Sequence, residues 1–173
     1  MNIYLLIILR LAHVVAGILW GGAAIAYLFF VKPSVESIGA AGPDFMRSLM
    51  ERRKYPIFMM AVSLVTALSG ALLYWALGRL NLLWIKTGPG LGFTLGSLAA
   101  LVAFFVGGLG IGPASARLAA LGGAIAASGG TATPRQASEM RLLAERLVRA
   151  ERIDFIMLAI AMLTMATARY WVF

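Results

Sequence analysis

A single histidine inside a long apolar segment is the residue of this chain best suited to chemistry. His13 is the only histidine, and between residues 3 and 31 its one ionisable companion is Arg10. If this segment is a helix entered from residue 3, the imidazole lies roughly 15 Å below the membrane surface at 1.5 Å per residue. Ionisable groups at such depth are costly, so they are functional candidates by default. A buried imidazole can bind haem iron as an axial ligand.

Small and aromatic residues share the helical face of His13. Spacings of four and seven residues place Gly17 and Trp20 beside it, and Arg10 precedes it by three. Because glycine leaves space next to the imidazole, a flat ligand such as haem b would fit there. The alternative is a neutral histidine that is hydrogen-bonded to a neighbouring helix, with glycines that serve only close helix packing. Spacing alone leaves both interpretations open.

Methionines are the second group of candidate ligands. The chain has nine Met and no Cys, which excludes thiolate metal sites and covalent haem attachment. Met165 lies near the expected depth of His13, and Met162 precedes it by three residues, so either could be a second axial ligand. Thioethers also suit copper(I), which makes copper the alternative cofactor. Methionine is equally common as a packing residue in helix bundles.

Basic residues near the same end of the bundle could bind an anionic group. Arg10 and Lys86 are expected close to the outer surface, where they could pair with haem propionates. Snorkelling of long side chains toward the membrane interface is the alternative role. We find no Walker loop and expect no paired carboxylates within the membrane. A Ser-His-Asp triad is excluded because Asp154 is expected near the opposite face from His13. Whether the protein is an enzyme stays open.

Four apolar segments must position these residues. Of the 173 residues, 61% are hydrophobic and 13% charged, and the mean hydropathy is +0.89, which excludes an ordinary soluble domain. The segments cover about residues 3–31, 55–77, 88–112 and 153–172, and each can cross about 30 Å of hydrocarbon as a helix. We therefore predict an all-α, polytopic protein of the lipid bilayer. Residues 1–173 form a single domain, a four-transmembrane-helix bundle with no internal repeat.

The basic residues between the segments predict an orientation. Residues 32–54 and 113–152 carry eleven Lys and Arg, whereas residues 78–87 carry only Arg79 and Lys86. Positive residues favour the cytoplasmic side, so both termini are expected outside the cytoplasm, most simply in a bacterial inner membrane. The net charge of +8 is explained by these loops, and nucleic acid is not an expected partner. Glycines at four-residue spacing would allow a homodimer or assembly into a larger membrane complex.

The long third loop, residues 113–152, is predicted to be a cytoplasmic helical extension. Ala114 to Ala127 can prolong the third helix, and Ser128-Gly129-Gly130 should end it. Thr133, Pro134 and Gln136 form a helix start of the capping-box type, from which a helix would run into the fourth segment. A docking surface for a partner is the alternative role of this loop.

Two short stretches resemble known membrane families. Leu11-Ala12-His13 followed by Trp20-Gly21-Gly22 resembles the first-helix signature of copper-resistance D-like membrane proteins. The stretch 50–57, MERRKYPI, resembles the membrane protoporphyrinogen oxidases of the HemJ type, and Trp84-Ile85-Lys86 fits the same pattern. Together these matches fall within about the first 115 residues. The HemJ-like resemblance implies haem b bound through His13, with Arg52, Arg53 and Lys86 as functional matches, and the copper-like resemblance implies copper handling.

The sequence thus leads to three functional hypotheses. The first is a small membrane protein that binds b-type haem through His13 and is associated with redox chemistry. The second is a copper transport or resistance protein, and the third is a non-catalytic accessory subunit of a larger membrane complex.

Overall fold

A bundle of long helices forms almost the whole protein. The computed structural model describes residues 2–78 and 81–173, so Arg79 of the loop comparison lies outside the described residues. The elements, in chain order, are α1 Ile3–Ser37, α2 Gly42–Arg47, α3 Tyr55–Gly78, α4 Leu82–Ile85, α5 Gly88–Ala127 and α6 Pro134–Tyr170. The described residues contain no strand. The predicted all-α class is therefore confirmed.

Four of the described helices, α1, α3, α5 and α6, are long and apolar enough to cross a membrane. Many of their large apolar side chains point outward, among them Ile8, Ile18, Leu68 and Leu163. Such a surface is unfavourable in water and suits lipid tails, because the bilayer core is itself apolar. The chain is an integral membrane protein.

The helices pack as two antiparallel pairs. α1 lies along α3, α5 lies along α6, and contacts between α3 and α5 join the pairs. The buried core at mid-height consists of Trp20, Val62, Ala103 and Leu158, one residue from each long helix. We call the end of the bundle with both chain termini the termini end. The opposite end, from which α5 and α6 project as a helical hairpin, is the hairpin end.

A row of glycines on α5 brings this helix close to α6. A methyl group at Gly92 would lie 2.7 Å from Ala168 Cβ, and one at Gly96 would lie 2.6 Å from Met165 Cγ. At Gly88 it would collide with the Trp171 backbone. In this row the four-residue spacing of glycines thus serves packing between helices of the same chain.

The second glycine pair of α5 does not serve helix packing. Gly108 faces open space, and Gly112 has only the Gly107 carbonyl nearby. Sequence spacing alone cannot distinguish a glycine that meets a partner helix from one that faces away.

Both α1 and α5 widen into a π-helical turn shortly before a proline. The turns cover Tyr27–Val31 and Val106–Ile111, and they precede Pro33 and Pro113. A proline ring clashes with the carbonyl four residues earlier in a regular helix, and a wider turn relieves that clash. Each helix thereby passes its proline without ending.

The hairpin end follows the predicted pattern closely. α5 ends at Ala127, and Gly129 and Gly130 adopt positive φ angles of 99° and 80°. Thr133 Oγ1 accepts a hydrogen bond from the Gln136 N–H at 3.3 Å, and Gln136 Oε1 accepts one from the Thr133 N–H at 2.9 Å. This reciprocal capping box starts a helix that continues without interruption into the membrane. The predicted helical extension is thus the shared continuation of α5 and α6.

Candidate functional site

The His13 side chain extends from α1 into the contact with α3. Its Nδ1 lies 2.9 Å from the backbone carbonyl oxygen of Thr66. Because a carbonyl oxygen can only accept, Nδ1 must carry the proton and donate. In the neutral imidazole the lone pair then lies on Nε2. This is the atom with which a histidine so oriented would bind a metal.

Gly70 of α3 makes space for the imidazole ring. A methyl group at position 70 would lie 2.7 Å from His13 Cε1 and 3.0 Å from Nδ1. One turn earlier, the Thr66 hydroxyl donates to the Val62 carbonyl at 2.8 Å, which keeps the threonine side chain against its own helix. The Ser69 hydroxyl donates to the Val65 carbonyl at 2.5 Å and lies 3.3 Å from the Thr66 carbonyl, so it too is held against its own helix.

Thr66, Ser69 and Gly70 were missed by the sequence analysis. Their spacing places them on one face of α3, and Thr66 and Ser69 are buried. A polar and small face on an otherwise apolar span was the available signal. The group that packs against this face of α3 depends on which helix pairs with α3. Residue spacing does not reveal that pairing.

Gly17 and Trp20 were predicted to line a ligand space beside His13. A methyl group at Gly17 would lie 3.7 Å from Thr66 Cγ2, so Gly17 lies in the same α1–α3 contact as His13. Trp20 is only 5% exposed and belongs to the central core with Val62 and Leu158. Gly17 thus lies in the helix contact that contains the imidazole, whereas Trp20 packs in the central core.

The two candidate thioether ligands lie on α6, each against a glycine of another helix. A methyl group at Gly21 of α1 would lie 2.9 Å from Met162 Sδ, and one at Gly96 of α5 would lie 3.2 Å from Met165 Cε. His13 lies in the α1–α3 contact instead. The structure therefore assigns the imidazole and the two thioethers to different helix contacts.

The basic candidates are at the termini end. Arg10 precedes His13 by nearly one turn of α1, and its side chain is exposed, as is that of Lys86 after α4. Arg169 lies over the Tyr170 ring, with 5.3 Å between its Cζ and the ring centroid. Arg10 and Lys86 are thus free to meet an anionic group at the membrane surface.

A second polar cluster lies at the hairpin end. Glu151 and Asp154 are three residues apart on α6, and each is only 8% exposed. The sequence analysis assigned Glu151 to the loop of residues 113–152 and therefore did not anticipate this pair, because α6 continues through that position.

An ion pair neutralises one of these carboxylates. Lys32 of α1 donates to Glu151 and forms a salt bridge that links the first and last long helices. Tyr27 and Tyr55 stack beside the pair, with ring centroids 5.7 Å apart. We call Tyr27, Lys32, Tyr55, Glu151 and Asp154 the hairpin-end cluster.

Metal ligands of the common kinds do not gather in this bundle. Across residues 2–78 and 81–173, no three or more His, Cys, Asp and Glu side chains form a group that could hold a metal ion. A metal at His13 would therefore depend on the imidazole together with thioethers or with ligands brought by a cofactor.

The fold and these two sites define a class. The chain is an α-helical integral membrane protein with four membrane-spanning helices, one membrane-embedded imidazole and a buried charged cluster. No family model, curated protein or solved structure matches it. The resemblance to copper-resistance D-like and HemJ-like proteins stays a prediction.

Proposed function

We propose that this protein is a small inner-membrane protein that binds b-type haem through His13 and takes part in electron transfer. The observation that supports this proposal is the hydrogen bond from His13 Nδ1 to the Thr66 carbonyl. Histidines that bind metals commonly donate their other ring N–H to a carbonyl or carboxylate, which fixes the tautomer and the ring orientation. A neutral histidine that only packs would make the same hydrogen bond to a neighbouring helix, so binding of a ligand at Nε2 is what distinguishes the two roles.

The surroundings of the ring are compatible with such a group. Gly70 keeps side-chain volume away from the imidazole, and exposed Leu11 and Val14 leave the α1 surface beside it open to lipid. His13 would hold the iron, and Arg10 and Lys86 would face the propionates at the termini end. When bound, haem would supply a one-electron iron couple, as b-type haems do.

The orientation is part of the proposal. Arg117, Arg135 and Arg141 lie on the α5–α6 hairpin, and all are exposed. Since positive residues favour the cytoplasmic side, the hairpin would be cytoplasmic and the termini would lie outside. His13 would then be in the outer half of a bacterial inner membrane.

The first experiment is a reduced-minus-oxidised absorption spectrum of the full chain, purified in mild detergent from cells supplied with haem. We expect a b-type spectrum from the wild type and none from His13→Ala. Val14→Ala is the matched control, because Val14 is the exposed neighbour on the same turn. Free imidazole added to His13→Ala should restore part of the haem signal by occupying the vacated ligand position.

Three results would count against the proposal. They are a colourless wild type after haem supply, an unchanged spectrum in His13→Ala, and equal losses in His13→Ala and Val14→Ala. Bound copper in the wild type, lost together with methionine substitutions, would favour the copper alternative.

The second axial ligand can be tested with the same spectra. Met165→Ala and Met162→Ala each remove one thioether. If one of these sulfur atoms is the second axial ligand, its removal should shift the ferric haem from low to high spin. The other variant serves as its control. If neither substitution changes the spin state, the methionines of α6 are not ligands.

A further inference from the structure

The hairpin-end cluster contains more negative charge than its own residues neutralise. Lys32 pairs with Glu151, and this pair carries no net charge. Asp154 lies one turn further along α6 and is 8% exposed. Within residues 2–78 and 81–173, its carboxylate has neither a salt bridge nor a hydrogen bond. The Asp154 oxygens keep some accessible surface, but a carboxylate that is mostly withdrawn from water and unpaired is unfavourable in its charged form.

The groups around Asp154 come from all four long helices. α6 contributes Glu151, whose negative charge acts on Asp154. α3 contributes Tyr55, whose ring is close enough to feel the Asp154 charge, and its hydroxyl donates to the Ala23 carbonyl at 3.1 Å. α1 contributes Lys32, which is engaged by Glu151, and Tyr27, which is stacked on Tyr55. Of these neighbours only Lys32 is a cation.

The residue of α5 that lies against Asp154 is a glycine, Gly107. A methyl group at Gly107 would lie 3.9 Å from Asp154 Oδ1, and Gly107 belongs to the π-helical turn Val106–Ile111. Gly110 of α5 faces Ala150 of α6 in the same helix contact. A methyl group at Gly110 would lie 3.7 Å from Ala150 Cβ. π-helical turns occur frequently at functional sites, because their irregular backbone creates space and unpaired polar groups.

We propose that Asp154 is a proton-binding site, a carboxyl group that takes up and releases a proton within the hairpin end of the membrane. Protonation removes the one uncompensated charge and leaves the Lys32–Glu151 pair ionised. A metal cation is the less suitable occupant, because such ions require several oxygen ligands. The cluster offers only one carboxylate that is not already paired.

Asp154 lies close to an open surface cleft of the bundle. An open cleft of about 450 Å³ runs between α5 and α6 at this level, lined by Val106, Leu109, Gly110, Ala150 and Ile153 among others. Arg146 and Arg149 also line it, and their exposed guanidinium groups mark the hairpin-end surface of the membrane. Ala150 and Ile153 of this lining lie on α6 within one turn of Asp154, so the cleft brings the hairpin-end surface close to the carboxyl group.

This site is separate from His13. Tyr27 follows His13 by fourteen residues on α1, which corresponds to about 21 Å along the helix axis. The proton-binding proposal therefore does not depend on whether His13 binds haem, and each can fail without the other.

Infrared spectroscopy with labelled aspartate provides a direct test. The chain has only two aspartates, Asp44 and Asp154, so side-chain ¹³C-aspartate labelling in an Asp44→Asn background marks Asp154 alone. Asp44 is exposed and pairs with Arg47, so its substitution should leave the membrane region unchanged. We expect a ¹³C-shifted C=O band of a protonated carboxylic acid that disappears reversibly as the pH rises and shifts in D₂O.

Two variants complete the test. Asp154→Asn should remove the band, and Asp154→Glu should replace it with an unlabelled carboxylic acid band if the asparagine variant does not fold. The proposal is overturned if the labelled carboxyl stays ionised at every pH at which the protein is folded. It is also overturned if replacing K⁺ by Na⁺ at constant pH abolishes the protonated band, because the occupant would then be a cation.

Discussion

The imidazole ring of His13 occupies the space that a side chain at position 70 would need. A methyl group on Gly70 would lie 2.7 Å from His13 Cε1, while His13 Nδ1 donates to the Thr66 carbonyl one turn away. Gly70 permits the imidazole ring to lie close to α3, and the Thr66 carbonyl fixes the orientation of the ring by accepting its hydrogen bond. α1 and α3 meet in the membrane at this polar contact.

The substitution Gly70→Ala should displace the His13 ring. Loss of the hydrogen bond to Thr66 costs about 0.5–1.5 kcal/mol, and overpacking adds about 1–3 kcal/mol where neighbours cannot move. We expect a lower thermal unfolding temperature in detergent and, if haem is bound, a weaker or altered haem spectrum. Gly22→Ala is the control, since no atom lies within 4 Å of a methyl group there. Equal behaviour of the two variants would contradict this account.

The substitution Gly96→Ala should weaken the α5–α6 pair. Its methyl group would lie 2.6 Å from Met165 Cγ and 2.7 Å from Thr164 Oγ1, and overpacking of this kind costs about 1–3 kcal/mol. Gly108→Ala, in open space on the same helix, should leave the unfolding temperature nearly unchanged. Because Met165 causes half of the clash, the double variant with Met165→Ala should lose less stability than the sum of the single variants. Strict additivity would show that the two residues do not interact.

The substitution Lys32→Met should destabilise the bundle strongly. It leaves Glu151 buried and unpaired, and breaking a buried pair on one side typically costs about 3–5 kcal/mol. Arg47→Met removes one partner of an exposed pair with Asp44, where a loss of about 0–1 kcal/mol is expected. Lys32→Met combined with Glu151→Met should recover most of the unfolding temperature, because neither partner of the ion pair is then left without its counter-charge. A double variant as unstable as Lys32→Met alone would mean that packing, rather than charge, explains the loss.

The substitution Thr133→Ala should loosen the start of α6. It removes the side-chain acceptor of the capping box, which is worth about 1 kcal/mol, and the effect should stay local because this helix end projects from the bundle. Hydrogen exchange should become faster at the first turns after Pro134 and remain unchanged in the membrane. Thr131→Ala is the control, since Thr131 is exposed and precedes the cap. Equal exchange in both variants would show that the cap does not hold the helix start.

Much of the architecture could be predicted from the sequence because it depends on local physics. The length and hydropathy of four segments determined the membrane spans, since an apolar helix of about 20 residues matches the hydrocarbon thickness. The positive φ angles required after Ala127 explain Gly129 and Gly130. The Thr133–Gln136 capping box was likewise readable from adjacent residues, as was the position of His13 within the first apolar segment.

Only the tertiary structure decided which residues meet. Lys32 and Glu151 are 119 positions apart, and His13 finds Thr66 and Gly70 on a helix whose rotation no local pattern specifies. Asp154 lies against Gly107 of α5 only in the packed bundle, and the assumed start of the fourth span concealed the neighbouring Glu151. Helix formation is determined within a few residues of chain, whereas side-chain contacts between helices depend on pairing, rotation and depth together. For this reason the sequence sufficed for the four spans and their caps, but the tautomer of His13 and the charge balance at Asp154 required the packed bundle.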